Sequence, residues 1–194
     1  MIEISYPLWN DLDKIEVVSG VLYSFEVHPK LHTSFSALLD AYVSSDDQLW
    51  NRYRDVQKDV KILLGLSESK EIEDAVMNDL LVEVEWIIEE DIKDSHEYIR
   101  AQLMTYANLL SSRIAFKVLN EKKACKWLDS RDIVITNDEW LDADMSIDIA
   151  KSKAKNIKVG MPIITSHGIG CTTDNENTLT KEKQYWEVLF NEAE

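Results

Sequence analysis

Leu103, Ala107, Leu110, Ile114 and Val118 repeat at three- and four-residue steps, the spacing that places apolar side chains on one face of a helix. Two short segments after it read as strands, 124–128 and 161–166. The first passes straight into Asp129-Ser130-Arg131-Asp132 and the second into His167-Gly168-Ile169-Gly170. Between them, Ile133-Val134-Ile135 reads as a further short strand and 146–156 as a helix stopped by Gly160. Strands alternating with helices predict α/β layering, with a mainly parallel sheet flanked by helices. Such sheets bind ligands at the carboxyl ends of their strands, where both polar loops fall.

Upstream, Lys14-Ile15-Glu16-Val17-Val18-Ser19 reads as a strand. Val21-Leu22-Tyr23-Ser24-Phe25-Glu26-Val27 extends it or forms a second, ending at Pro29. Residues 34–91 read as helical. Leu49, Tyr53, Val56, Val60 and Leu64 share one face, and Gly65 follows as a C-terminal cap. Ile72, Val76, Leu80, Val84 and Ile87 mark a second helix over 70–90, and Tyr185, Trp186, Leu189 and Phe190 suit a short closing helix over 181–194. No linker or repeat interrupts the chain, so 1–194 reads as one domain, long enough for a sizeable core.

Composition narrows the function classes. The net charge of −15 repels a phosphate backbone and no basic cluster offsets it, so nucleic acid and anionic membrane are not expected partners. No run of apolar residues is long enough to span a bilayer, and Met1-Ile2-Glu3-Ile4-Ser5 lacks the basic and apolar regions of a signal peptide. A cytoplasmic location is the expectation. Cys125 and Cys171 then read as free thiols.

Several segments carry a family resemblance. Tyr106-Ala107-Asn108-Leu109-Leu110-Ser111-Ser112-Arg113 is similar to the aspartate kinase helix usually written Gly-Glu-Leu-Leu-Ser-Ser-Arg. Trp127-Leu128-Asp129-Ser130-Arg131-Asp132 resembles that family's Asp-Ala-Arg-Asp loop, and Thr136-Asn137-Asp138 resembles the family segment just past that loop. Met161-Pro162-Ile163-Ile164-Thr165 resembles its Val-Pro-Val-Val-Thr strand. Gly168-Ile169-Gly170-Cys171-Thr172-Thr173 resembles its Phe-Ile-Gly loop, and Asn177-Thr178-Leu179-Thr180 the Thr-Thr-Thr-Leu-Gly stretch beyond. The ordered series covers 101–180, with a looser echo over 14–100. It implies the substrate lobe of the amino-acid-kinase (carbamate-kinase-like) fold. By the same resemblance, Asn108, Ser111, Ser112, Arg131 and Asp132 would bind substrate, and Gly168, Gly170, Thr172 and Thr173 would form a phosphate-loop-like turn.

The chain also departs from the family pattern. The family begins with Lys-Phe-Gly-Gly-Thr-Ser, whose lysine stabilises the transferring phosphate; here the first glycine is Gly20. The family glutamate that contacts the amino group of aspartate falls at Asn108, and a neutral amide loses that charge-assisted bond. Gly-Arg-Gly-Gly-Ser-Asp is not found where the resemblance would place it, because Thr180 runs into Lys181-Glu182-Lys183, and 181–194 does not read as the start of a nucleotide-binding half or regulatory region. The resemblance with these departures implies a catalytically inactive binding or interaction protein. No cofactor is expected, and the expected partners are a second copy, a kinase-like protein or a small amino-acid-like ligand. The alternative is one piece of an active aspartate 4-phosphotransferase completed by another polypeptide, which alone would bring ATP and magnesium. In either case the closing helix docks on a partner or folds back over the surface that a second lobe would cover.

Plainer roles stand beside these. Ser111, Ser112 and Arg113 also suit a helix surface with a salt-bridging arginine. Asp129, Arg131 and Asp132 also suit a loop ordered by carboxylate-to-backbone bonds and an ion pair. His167-Gly168-Ile169-Gly170 has few glycines for a phosphate cradle and suits a tight turn. His28 and His32 lack a third metal ligand, and the spacing of Cys171 and His167 guarantees neither hydrogen-bond reach nor an orienting third group.

Overall fold

A computed structural model describes residues 2–90, 95–158, 160–182 and 184–190. Its main sheet has four strands in the order β1 (Glu3–Ser5), β2 (Val21–Phe25), β4 (Ile163–Ser166) and β3 (Lys126–Trp127), and every neighbouring pair is parallel. All five residues of β2 and all four of β4 are buried, so helices must cover both faces of the sheet. The expected α/β class is what the structure contains.

On one face lies α4 (His96–Lys122). Tyr23, Phe25 and Ile164 of the sheet pack there with Ala115 and Leu119. On the other face lie α5 (Ile147–Ala154) and α6 (Tyr185–Phe190), where Leu22 and Ile163 meet Ala150, Ala154, Trp186 and Leu189. A second helical layer, α1 (Pro29–Val43), α2 (Leu49–Leu63) and α3 (Ala75–Glu89), packs on the far side of α4 through Phe35, Leu38, Val56, Met77, Leu80 and Val84. α4 is therefore sandwiched, and every residue from Ala101 to Ser112 is buried. Over 101–112 its apolar stripe is one side of a helical segment hidden all round.

Local chemistry sets the helix ends. His28 caps α1, its Nδ1 accepting the Lys30 N–H at 3.1 Å, and Pro29 takes the first helical position, where no N–H is needed. Asp74 caps α3 through the Met77 N–H at 3.1 Å, so this helix starts five residues later than the apolar pattern suggested. Gly65, at φ +68°, ends the turn after α2 as expected.

Four expectations are corrected. Residues 14–19 do not form a strand. A 3-10 turn over Trp9–Lys14 leads into an irregular segment, whose Glu16 carbonyl accepts from the Tyr23 hydroxyl at 2.8 Å while the same hydroxyl accepts the Val18 N–H. Gly20, at φ +85°, turns the chain into β2, and the true first strand is the three-residue β1. Residues 133–135 make only isolated bridges, Ile135 with Cys171 and the adjoining Thr136 with Met145. The loop after β4 is just His167-Gly168, since β5 (Ile169–Cys171) pairs antiparallel with β6 (Asn177–Leu179). The closing helix is shorter than 181–194, and residues 183 and 191–194 of that span lie outside the described residues, as does Asp91 of the helical stretch.

α6 folds back on the chain's own sheet. Tyr185 and Trp186 are fully buried, and their hydroxyl and indole N–H donate to the Ile169 and Ser166 carbonyls at 2.9 and 3.1 Å. Among the described residues no helix is long and apolar enough to cross a membrane.

Candidate functional site

β2 and β4 end side by side at Phe25 and Ser166, and the next residues, Glu26 and His167, stand at their carboxyl ends. The His167 N–H still donates to the Phe25 carbonyl, at 3.3 Å, so the ring is carried on a continued ladder. Its Nδ1 lies 3.1 Å from the Ser24 hydroxyl and its Nε2 lies 3.3 Å from Glu26 Oε1. A proton on Nε2 facing the carboxylate leaves Nδ1 to accept from Ser24. Tyr6 meets the imidazole edge-on, ring centroids 5.3 Å apart. The order serine, histidine, glutamate has the look of a nucleophile and its base. Ser24 is fully buried, however, so no substrate reaches its hydroxyl.

Glu26 and His167 open into a cleft of about 470 Å³ between these strand ends and α4. Its charged lining is of both signs: Glu26 and Asp142 against Arg100 and Lys181, with His32 beside them. Arg100 and Lys181 are exposed and make no ion pair among the described residues. Met104 and Asn108 of α4 form part of the wall, and the Asn108 amide donates to the Met104 carbonyl at 3.0 Å. Small zwitterions and dicarboxylates match this chemistry, because both signs of charge face one volume of the right size.

Of the residues singled out by resemblance, Asn108 and Gly168 line this cleft. Ser111 and Ser112 are buried rather than on a helix surface. Ser111 accepts the His28 N–H at 2.9 Å and so ties the start of α1 to α4, while Ser112 accepts the Trp127 indole N–H at 3.0 Å. Arg131 belongs to a separate network. Its Nε and Nη2 donate to Asp129, Nη2 at 2.7 Å, its Nη1 donates to Asn177 at 3.0 Å, and it sits over the Tyr106 ring. Burial opposes the charge on this guanidinium, but Asp129 outweighs it and holds the pKa above the ordinary range. Asp132 stays outside the network; burial, helped by the Asp129 charge, raises its carboxyl pKa.

Gly170 has a packing role. A Cβ there would lie 2.8 Å from the Val134 carbonyl oxygen and 2.9 Å from the Thr136 methyl. The Thr172 hydroxyl accepts the N–H groups of Asp174 and Glu176, which closes the turn before β6, and Thr173 is exposed. Cys171 Sγ donates to the Arg131 carbonyl at 3.2 Å, and burial raises its thiol pKa, which disfavours the thiolate.

Glu26, Arg100, Asp142 and Lys181 escaped sequence reasoning. The strand-end rule carried a signal for Glu26, the residue directly after β2. Nothing local marks the other three, which the topology gathers from α4, from the segment leading into α5 and from the turn after β6.

No protein-family model matches the chain, and no curated protein matches it. Solved structures do. E. coli aspartokinase III in complex with lysine and aspartate (T-state) superposes with a TM-score of 0.78 at 16% identity, over 97% of this chain and 46% of that one. The same enzyme in complex with aspartate and ADP (R-state) gives 0.74 at 16% identity, over 92% and 43%. Clostridium acetobutylicum aspartate kinase gives 0.56 at 11% identity, over 84% and 35%. The likeness reaches well beyond the motif-bearing 101–180. The chain has an aspartokinase-like α/β fold and spans less than half the length of the aspartokinases it matches.

Proposed function

We propose that this chain binds a small amino-acid-like ligand in the strand-end cleft and does not by itself transfer a phosphoryl group. The observation that carries this reading is the charge arrangement: Arg100 and Lys181 for carboxylates, Glu26 and Asp142 for an ammonium, around one cleft at the ends of β2 and β4. Support comes from the similar fold of an enzyme crystallised with aspartate and with lysine.

The residues present do not fit the triphosphate and magnesium that an aspartokinase-like fold implies. β1 runs into Tyr6-Pro7-Leu8, with no lysine, no glycine and one backbone N–H fewer at the proline. Gly170 packs on Val134, and the Thr172 hydroxyl already serves two N–H groups. Among the described residues no cluster of three His, Cys, Asp or Glu side chains could hold a metal. No transfer step is therefore assigned to this chain.

A second reading has one observation in its favour. The chain matches 43% and 46% of the two aspartokinase III chains, so a further polypeptide supplying the remainder would complete an amino-acid kinase. ATP and magnesium would then sit on that partner. Trapping of aspartyl phosphate with hydroxylamine tests the choice. The chain alone should match a no-protein control, and product above that control would overturn the proposal. Calorimetry with L-aspartate and L-lysine should show saturable binding.

A further inference from the structure

We infer, resting on the reading of the cleft above, that Glu26 held by His167 takes the ammonium of the bound ligand, a task that the resemblance assigns to the position of Asn108. An ammonium offers three N–H donors and a positive charge, and it is matched by a group that only accepts and carries negative charge. Asn108 is neutral, and one of its amide N–H groups is tied to the Met104 carbonyl one turn back. Its NH2 group repels an ammonium, and only the amide oxygen could accept.

Glu26 has the properties that Asn108 lacks. Its side chain is 68% exposed to the cleft mouth, while the imidazole behind it is 6% exposed. That ring is fixed from both sides, by the fully buried Ser24 at Nδ1 and by Glu26 Oε1 at Nε2. The backbone of Glu26 is fixed as well, since its carbonyl accepts the Trp9 indole N–H at 2.9 Å. One carboxylate oxygen thus lies against a buried ring nitrogen, and the other makes no hydrogen bond or ion pair among the described residues. Asp142 is the other carboxylate among the cleft residues, but it is exposed and, among the described residues, no buried side chain holds it. Holding the carboxylate before the ligand arrives saves the ordering that an exposed glutamate otherwise loses on binding. His167 is accordingly a positioning residue, acting through Glu26.

L-Aspartate and succinate separate the ammonium from the carboxylates, because succinate keeps both carboxylates and lacks the amine. Calorimetric titration of the full chain should show that Glu26→Gln weakens aspartate about tenfold or more, the size expected of a charge-assisted bond, and succinate less than about twofold. Asp142→Asn should lower the aspartate-to-succinate ratio less than Glu26→Gln does. His167→Gln should move the ratio in the direction of Glu26→Gln, and the double variant should move it no further, which a merely structural role would not produce. An unchanged ratio in Glu26→Gln, or a collapse in Asp142→Asn instead, would overturn the inference alone. Binding of succinate without aspartate would do the same. Binding of neither by the unmodified chain would overturn the cleft reading and this inference together.

Discussion

Arg113 and Asp74 meet in a two-point ion pair, Nε to Oδ1 at 3.0 Å and Nη2 to Oδ2 at 2.9 Å, with both side chains largely buried. The pair joins α4 to the cap of α3, since the same Asp74 oxygen, Oδ1, accepts the Met77 N–H. Lys117 lies 3.5 Å from the other oxygen. Removing the guanidinium would strand a carboxylate inside the protein, so Arg113→Ala should lower stability by about 3 kcal/mol in urea unfolding.

Acid should weaken the same junction. Burial raises the Asp74 pKa, but Arg113 and the Met77 N–H outweigh it and hold the carboxyl below its ordinary 3.8. A depressed folded-state pKa contributes stability that is complete above the unfolded value and lost as pH falls through the folded one. Asp74→Asn keeps a capping side chain and deletes the charge. The stability gap between the native chain and this variant should therefore be constant near neutrality and shrink below about pH 4. Urea titrations across that range would measure it.

Gly170→Ala should destabilise by about 1–3 kcal/mol, because the added Cβ meets a backbone oxygen rather than a side chain that can swing aside. Gly160→Ala is the control. Among the described residues nothing lies within 4 Å of its added Cβ, and it should change stability by less than about 0.5 kcal/mol. Thermal melts of both would show the difference.

Trp186→Ala should remove about 3–5 kcal/mol by emptying a fully buried site against the sheet. The indole N–H also fixes the Ser166 carbonyl, one residue before His167. Ligand affinity should fall along with stability, so calorimetry below the melting range would detect both effects. Light scattering should also show more self-association, because α6 shields apolar surface of the sheet.

How much of this was legible varied with the range of the forces involved. The run at 161–166 was readable because a strand covered on both faces is rich in apolar residues, as Ile163 and Ile164 show, whereas 124–128 yields only the two-residue edge strand β3, whose Lys126 is exposed. Val17 and Val18 misled for the same reason: they are apolar and β-branched, yet the Tyr23 hydroxyl and the turn at Gly20 hold them outside the sheet. β1 is too short to leave a pattern. Asn108 and Gly168 could be found from local motifs. Arg100 and Lys181 could not, because only the packing of α4 beside β6 brings residues so distant in sequence to one cleft. Arg131 with Asp129 matched its plainer reading, a carboxylate-to-backbone bond plus an ion pair that orders the loop.

Amide chemical shifts followed through an L-aspartate titration would show where the ligand sits. Saturable shifts should cluster at Glu26, Val27, Asn108, His167 and Gly168, the backbone around the strand-end cleft. Shifts confined to the Arg131 and Asn177 network, or none at saturating ligand, would contradict binding in that cleft.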